Sequence, residues 1–192
     1  MGGHEVAVGG LGLVEKMVLY VVHRLGGASL EEINAAVAYA VLVDGGEFRP
    51  VEDRALLKSL VITGAGWIIR GVKKRLRLLS SLGLVALEGR YVRPRAAVEG
   101  LEADLAGVLD RLNGALEVLR AGGVGRLVEA LDELTGTAIA KYSFVGWSAA
   151  RYMKALRVLD EIAKEYGDRF ASVPTSHEFE KLRRRIKEPS IS

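Results

Sequence analysis

Residues 70–95, RGVKKRLRLLSSLGLVALEGRYVRPR, concentrate the side chains of this chain that could bind a ligand through charge. The stretch holds eight lysines and arginines and one acid, Glu88, for a net charge of +7, whereas the whole 192-residue chain is +3 and its remainder sums to −4. Lysine and arginine neutralise phosphates, and arginine can also contact guanine. The stretch therefore predicts a nucleic-acid surface, with a solvated or partner-facing helix surface as the alternative.

The first half of this stretch has the spacing of an amphipathic helix. At about 100° per residue, one face is apolar and should pack on the core: Ile69, Val72, Leu76 and Leu79. The opposite face follows the spacing i, i+4, i+7, i+11, with two further cations on its flanks: Arg70, Lys74, Arg77 and Ser81, flanked by Lys73 and Arg75. No acid stands three or four residues away, although such pairs commonly neutralise helix surface charge. The pattern favours a helix that enters the DNA major groove.

The second half has the pattern of a β-hairpin. LVALE and YVRPR flank the dipeptide GR, so strand-forming residues stand on either side of a glycine-containing turn. Three arginines, Arg90, Arg93 and Arg95, lie on or just beyond this turn. They are expected to contact phosphates beside the groove that the helix occupies.

Four helices are expected ahead of this hairpin, over residues 14–25, 29–43, 51–62 and 67–82. The first should end at Gly26 and Gly27, where a left-handed cap favours glycine. The second begins with Ser29 followed three residues later by Glu32, the pattern of a capping box. TGAG, residues 63–66, predicts a four-residue turn ahead of the basic helix.

VKKRLRLLSSLGLVALEGRYV, residues 72–92, resembles the recognition helix and wing of winged helix-turn-helix DNA-binding domains of the transcriptional-regulator type. The resemblance implies a mainly α fold with a small β-hairpin wing, in which a winged helix-turn-helix domain precedes a C-terminal helical region. It implies that Arg70, Lys73, Lys74 and Arg77 face DNA and that Arg90 and Arg93 contact its backbone. It also implies a core position for four residues at the hairpin: Leu82, Leu84, Val85 and Val92.

The second helix of such a helix-turn-helix could be either of two segments. If it is residues 29–43, about 25 residues separate it from the basic helix, which is long for the family. If it is residues 51–62, TGAG supplies the short glycine-containing turn that the motif needs. We prefer the second assignment. The basic face lacks Asn and Gln, so base recognition would depend on arginine contacts to guanine or on DNA shape.

Residues 98–192 are expected to form a helical accessory region that ends in the basic tail KLRRRIK, while residues 1–13 form an N-terminal extension. Seven apolar residues share one helix face over five turns: Leu101, Leu105, Val108, Leu109, Leu112, Leu116 and Leu119. This face is either intramolecular core or a homodimer interface, as in the regulators the chain resembles. The candidate interface residues are Leu101, Leu105, Leu109, Leu112 and Leu116, and the domain of residues 14–97 would then bind neighbouring major grooves.

Other classes of function find little support in the residues. The chain has no Cys, and His4, His23 and His177 lack ligand spacing, so no metal site or cofactor is expected. No nucleophile, base and orienting group stand together, so an enzyme is not expected. The longest apolar run, residues 35–43, is about half a membrane span, and we expect a cytoplasmic protein that does not bind membranes. The absence of Gln beside abundant Glu, Lys and Arg favours a thermophilic source. With the winged-helix resemblance, we expect that source to be an archaeon.

These observations predict a transcriptional regulator that binds double-stranded DNA, as a homodimer, through a basic recognition helix and an arginine-bearing wing. The alternative is a winged helix that binds a protein partner in a transcription, replication or chromosome-organising complex. In that case the basic helix face would contact an acidic protein surface rather than phosphates.

Overall fold

A computed structural model describes residues 9–136 and 144–166 of the chain. The basic tail, His4 and His177 lie outside these residues. The helices are α1 (Leu13–Leu25), α2 (Leu30–Leu42), α3 (Arg54–Ser59), α4 (Val72–Ser81), α5 (Leu101–Asp104), α6 (Leu109–Thr135) and α7 (Ala149–Tyr166). The strands are β1 (Ala28–Ser29), β2 (Val43–Asp44), β3 (Glu47–Phe48), β4 (Leu60–Thr63), β5 (Gly66–Ile69), β6 (Val85–Glu88) and β7 (Tyr91–Pro94).

The first two helices begin and end as the sequence predicts. Gly26 follows α1 with a φ of 67°, in the left-handed region, and its N–H donates to the His23 carbonyl. At the start of α2, the Glu32 N–H donates to Ser29 Oγ at 3.2 Å, and the Ser29 N–H donates to Glu32 Oε2 at 2.7 Å. The predicted capping box is therefore confirmed. Every residue from Ala35 to Leu42 is buried, so α2 lies at the centre of the core.

A three-stranded antiparallel sheet joins residues 28–29, between α1 and α2, to the hairpin that follows α4. The strand order is β1-β7-β6, with Ala28 opposite Val92 and Val85 opposite Pro94. The predicted hairpin is confirmed, and its turn is formed by Gly89 and Arg90. Because β7 lies between β6 and β1, the sheet fixes the hairpin beside the short connection between α1 and α2.

The prediction that residues 51–62 form a helix, with residues 63–66 as a turn between helices, is wrong. The helix α3 covers only Arg54–Ser59, and Leu60–Thr63 is a strand that pairs with Gly66–Ile69 along its whole length. TGAG is thus the turn of a β-hairpin. Tertiary contacts explain the difference, because the Ile62 N–H donates to the Trp147 carbonyl at 2.9 Å and buried residues alternate along β4.

The prediction that residues 101–119 form one continuous helix is wrong, because turns at residues 105–108 separate α5 from α6. The leucine-rich face of these residues is nevertheless intramolecular core. Leu101, Leu105, Leu112 and Leu116 are buried within the single chain, and Leu109 is half-buried against the same cluster. The helix α6 packs along α2, so the face assigned to a possible dimer interface is covered by the protein itself. Gly123, with a φ of 74° and a ψ of −179°, interrupts α6 because a residue in this conformation cannot continue the helix.

Helix length and hydropathy also bear on membrane insertion. Within residues 9–136 and 144–166, no helix combines the length and the apolar character that crossing a bilayer requires.

Candidate nucleic-acid interface

The basic helix begins later than the sequence predicts. Gly71, with a φ of 67°, precedes α4, and residues 66–69 belong to β5, so Arg70 lies in the turn between strand and helix. The Arg70 N–H donates to the Ser59 carbonyl at 2.7 Å, which holds this turn against the end of α3. The Arg70 side chain is exposed at the amino end of α4.

The inner face of α4 packs as predicted, with one error at its end. Leu76 and Leu79 are buried and Val72 is half-buried, whereas Ile69, also buried, lies on β5 rather than on this helix. In the hairpin, the core residues are Leu84, Val85 and Val92. The prediction that Leu82 is core is wrong, since 42% of this residue is exposed.

The outer face of α4 consists of two parallel rows of side chains, each with a step of four residues. The first row is Lys73, Arg77 and Ser81, and the second row is Lys74, Leu78 and Leu82. All six residues are exposed. Because a helix rises 1.5 Å per residue, neighbours within a row lie about 6 Å apart along the axis. The charged row and the mixed row therefore form one continuous surface.

Two of the eight cations in residues 70–95 have an acidic partner. Arg75 Nη1 donates to Oε1 of Glu15, a residue of α1 that is only 8% exposed. Arg75 Nε also donates to the Arg70 carbonyl at 3.2 Å. Arg93 Nε donates to Glu88 Oε2 at 2.9 Å, and this hydrogen bond raises the pKa of Arg93 above its ordinary value. Sequence reasoning missed the first pair because sixty positions separate its two members.

The other six cations form what we call the basic surface: Arg70, Lys73, Lys74, Arg77, Arg90 and Arg95. All six are exposed, and none forms an ion pair within the part of the chain that the structure describes. Elsewhere, Lys16 pairs with Asp104 at 2.8 Å and Arg126 with Glu129 at 2.9 Å. These six side chains thus carry charge that no acid of the described chain neutralises in an ion pair.

Exposed apolar side chains cluster in the same stretch of chain. In the described ranges, four of the five large apolar residues with high exposure are Leu78, Leu82, Leu87 and Tyr91, on α4 and the β6–β7 hairpin. The fifth, Val145, precedes α7. Sequence reasoning overlooked Leu78, although its position one turn beyond Lys74 places it on the outer face. Single exposed apolar residues are ordinary on protein surfaces, and the feature of this stretch is that four of them follow each other along α4 and the hairpin.

The paired and unpaired arginines of α4 should behave differently when each is truncated. We expect Arg75→Ala to lower the free energy of unfolding by about 1–3 kcal/mol, because the nearly buried Glu15 carboxylate loses its hydrogen-bond donor. Arg77→Ala should change the free energy of unfolding by less than about 0.5 kcal/mol, since Arg77 is exposed and forms no ion pair with the described residues. Urea unfolding followed by circular dichroism measures both. Equal losses at the two positions would contradict the assignment.

A separate pocket of about 270 Å³ lies between α2, β5 and the second half of α6. Its polar lining consists of Glu31, Asn34, Trp67 and Asp132, and the remaining described residues around it are apolar or glycine. These groups include no hydroxyl, thiol, amine or imidazole that could act as nucleophile or general base beside a carboxylate. Among the described residues, no three His, Asp or Glu side chains are grouped to hold a metal.

The fold and this surface define the chain as a helical protein with small antiparallel sheets, in which exposed cations and apolar residues are concentrated along α4 and the β6–β7 hairpin. Comparison with known proteins adds no family to that description. No protein-family model, no curated protein and no solved structure matches the chain.

Proposed function

We propose that the chain is a winged helix-turn-helix protein that binds double-stranded DNA and regulates transcription. In this assignment α1, α2 and α4 are the three helices, α4 is the recognition helix, and the β6–β7 hairpin is the wing. The second helix is then α2, and residues 43–71 form an insertion between α2 and α4 that contains two hairpins and α3. The packing of β1 beside β7 supports this assignment, because it joins the wing to the helical core.

The basic surface is the observation that supports DNA binding best. Six exposed cations lack acidic partners in the described chain, and three of them, Lys73, Lys74 and Arg77, lie on α4. A helix of this width fits the DNA major groove. Solvated protein surfaces usually mix signs, because like charges at neighbouring helix positions repel each other. Phosphates of bound DNA neutralise the cations and so remove the repulsion between them. The counterions that the DNA releases when it binds the protein drive binding.

A salt titration of the full chain with a fluorescein-labelled, mixed-sequence duplex tests this proposal. If the six cations each neutralise one phosphate, the logarithm of the association constant should fall with the logarithm of salt concentration with a slope of about −5. The affinity should then drop about a thousandfold between 50 and 200 mM salt. Fluorescence anisotropy measures the slope, and a slope near zero would contradict the assignment of the basic surface.

Footprinting on a longer duplex separates a regulator from a protein-binding module. A regulator should protect particular sequences, whereas a winged helix that binds protein should protect none. If bare duplex is not bound at 50 mM salt, the surface fits an acidic protein partner instead. The four exposed apolar residues of α4 and the hairpin would then contribute to that contact.

A further inference from the structure

We propose that Leu78 and Leu82 contact the methyl groups of thymine in the major groove, so that the preferred DNA contains thymines close together on one strand. This inference rests on the proposed DNA-binding function and adds the chemistry by which α4 distinguishes sequences. It is drawn from the second row of α4, in which one cation, Lys74, precedes two exposed leucines.

The geometry of this row matches the spacing of bases. Leu78 and Leu82 are one step of four residues apart, so their side chains lie about 6 Å apart along the helix axis. Successive bases on one strand rise about 3.4 Å each. Because a helix in the major groove is inclined to the DNA axis, the two leucines would meet methyl groups one or two base steps apart, while Lys74 is placed to contact a phosphate beside them.

The chemistry of the outer face favours thymine among the bases. The thymine methyl is the apolar group that the major groove presents, and apolar side chains are its usual partners. The outer face of α4 offers no Asn or Gln to pair with adenine, so its hydrogen-bonding cations can distinguish only guanine. Leucines that are 46% and 42% exposed would be shielded from water on contact with methyl groups, which is favourable.

Charge makes DNA the better occupant of this face than a protein. The leucine pair is small, and Leu78 lies beside Lys74 and Arg77, neither of which has an acidic partner in the described chain. A DNA groove offers the matching arrangement, since methyl groups lie on its floor and phosphates line its edges. A protein partner would need acidic side chains around a small apolar centre to fit this face equally well. Binding to such a protein instead of DNA is one outcome of the test.

Replacing thymine by deoxyuridine tests the inference, because the two differ only by the methyl group. The full chain is first used to select sequences from a randomised duplex pool. The enriched duplex is then prepared with thymine or with deoxyuridine throughout. We expect wild-type affinity to fall about fourfold for each thymine methyl group that is removed from a leucine, and so about fifteenfold for two. The double variant Leu78→Ala, Leu82→Ala should bind both duplexes alike.

The matched control is Val145→Ala, which truncates an exposed apolar residue away from α4 and should keep the wild-type preference for thymine. Circular dichroism confirms folding, and alanine on the exposed face of a helix should be tolerated. Equal wild-type affinity for the two duplexes, or binding without enrichment of thymine, overturns the inference while the proposed function stands. An unchanged preference in the double variant also overturns it. Failure of the wild type to bind any duplex removes the proposed function itself, and the inference with it.

Discussion

Replacing Arg70, Lys74 and Arg77 together by alanine is expected to weaken binding to mixed-sequence duplex DNA about a hundredfold near 100 mM salt. Each of these exposed cations is assigned to a phosphate, and removing one such cation costs roughly 1 kcal/mol. The slope of the salt titration should also become shallower by about three, one for each phosphate that is no longer neutralised. The change in slope is the sharper measure, because it counts the ions that are released.

A second triple variant separates the position of charge from its amount. Arg54, Arg120 and Arg157 are exposed cations without ion pairs in the described chain, and they lie on α3, α6 and α7. Replacing these three by alanine changes the net charge equally but leaves the basic surface intact. We expect this control variant to alter the slope of the salt titration by less than about one. If both triple variants weaken binding equally, binding depends on total charge and α4 is not the recognition helix.

The elements that could be predicted from sequence are those fixed by local chemistry. The cap at Gly26, the capping box of Ser29 and Glu32, and the turn at Gly89 and Arg90 each depend on a few neighbouring residues. The core face of α4 followed from its period, because Leu76 and Leu79 repeat at helical spacing. None of these features requires knowledge of distant parts of the chain.

The errors arose where distant parts of the chain decide the structure. The run LVIT at residues 60–63 is too short to show a helical period, and it is a strand because it pairs with residues 66–69 and bonds to Trp147. With residues 60–63 assigned to a helix, the basic helix was predicted to start at Trp67, whereas it starts at Val72. Similarly, the Arg75 side chain looked free because its partner, Glu15, lies on α1.

The exposed cations of the candidate site were found from sequence, but its apolar part was not. Charge without neighbouring acids is visible in the residues, so the positions from Arg70 to Arg77 could be named. Leu78 and Leu82 were not, because a leucine in a helical repeat is usually assigned to the core. Their exposure depends on how α4 is rotated, and the buried Leu76 and Leu79 fix that rotation.

Truncation of Leu116 to alanine is expected to lower the free energy of unfolding by about 2–5 kcal/mol. Leu116 is fully buried on α6, which packs along α2, so the shorter side chain makes fewer apolar contacts and leaves a cavity. Truncation of Leu109, which is half-buried at the first turn of the same helix, should lower the free energy of unfolding distinctly less. Urea unfolding of the two variants measures the difference.

The same experiment decides between core and dimer interface for this leucine face. If Leu116 stabilises the protein from within one chain, the unfolding midpoint should not change when the protein concentration is raised about tenfold. A dimer held together by this face would unfold at higher urea as concentration rises, because association stabilises the folded state by mass action. It would also be destabilised similarly by truncation at Leu109 and at Leu116. Burial of Leu101, Leu105, Leu112 and Leu116 in a single chain favours the first outcome, because almost none of their surface is left to contact a second copy.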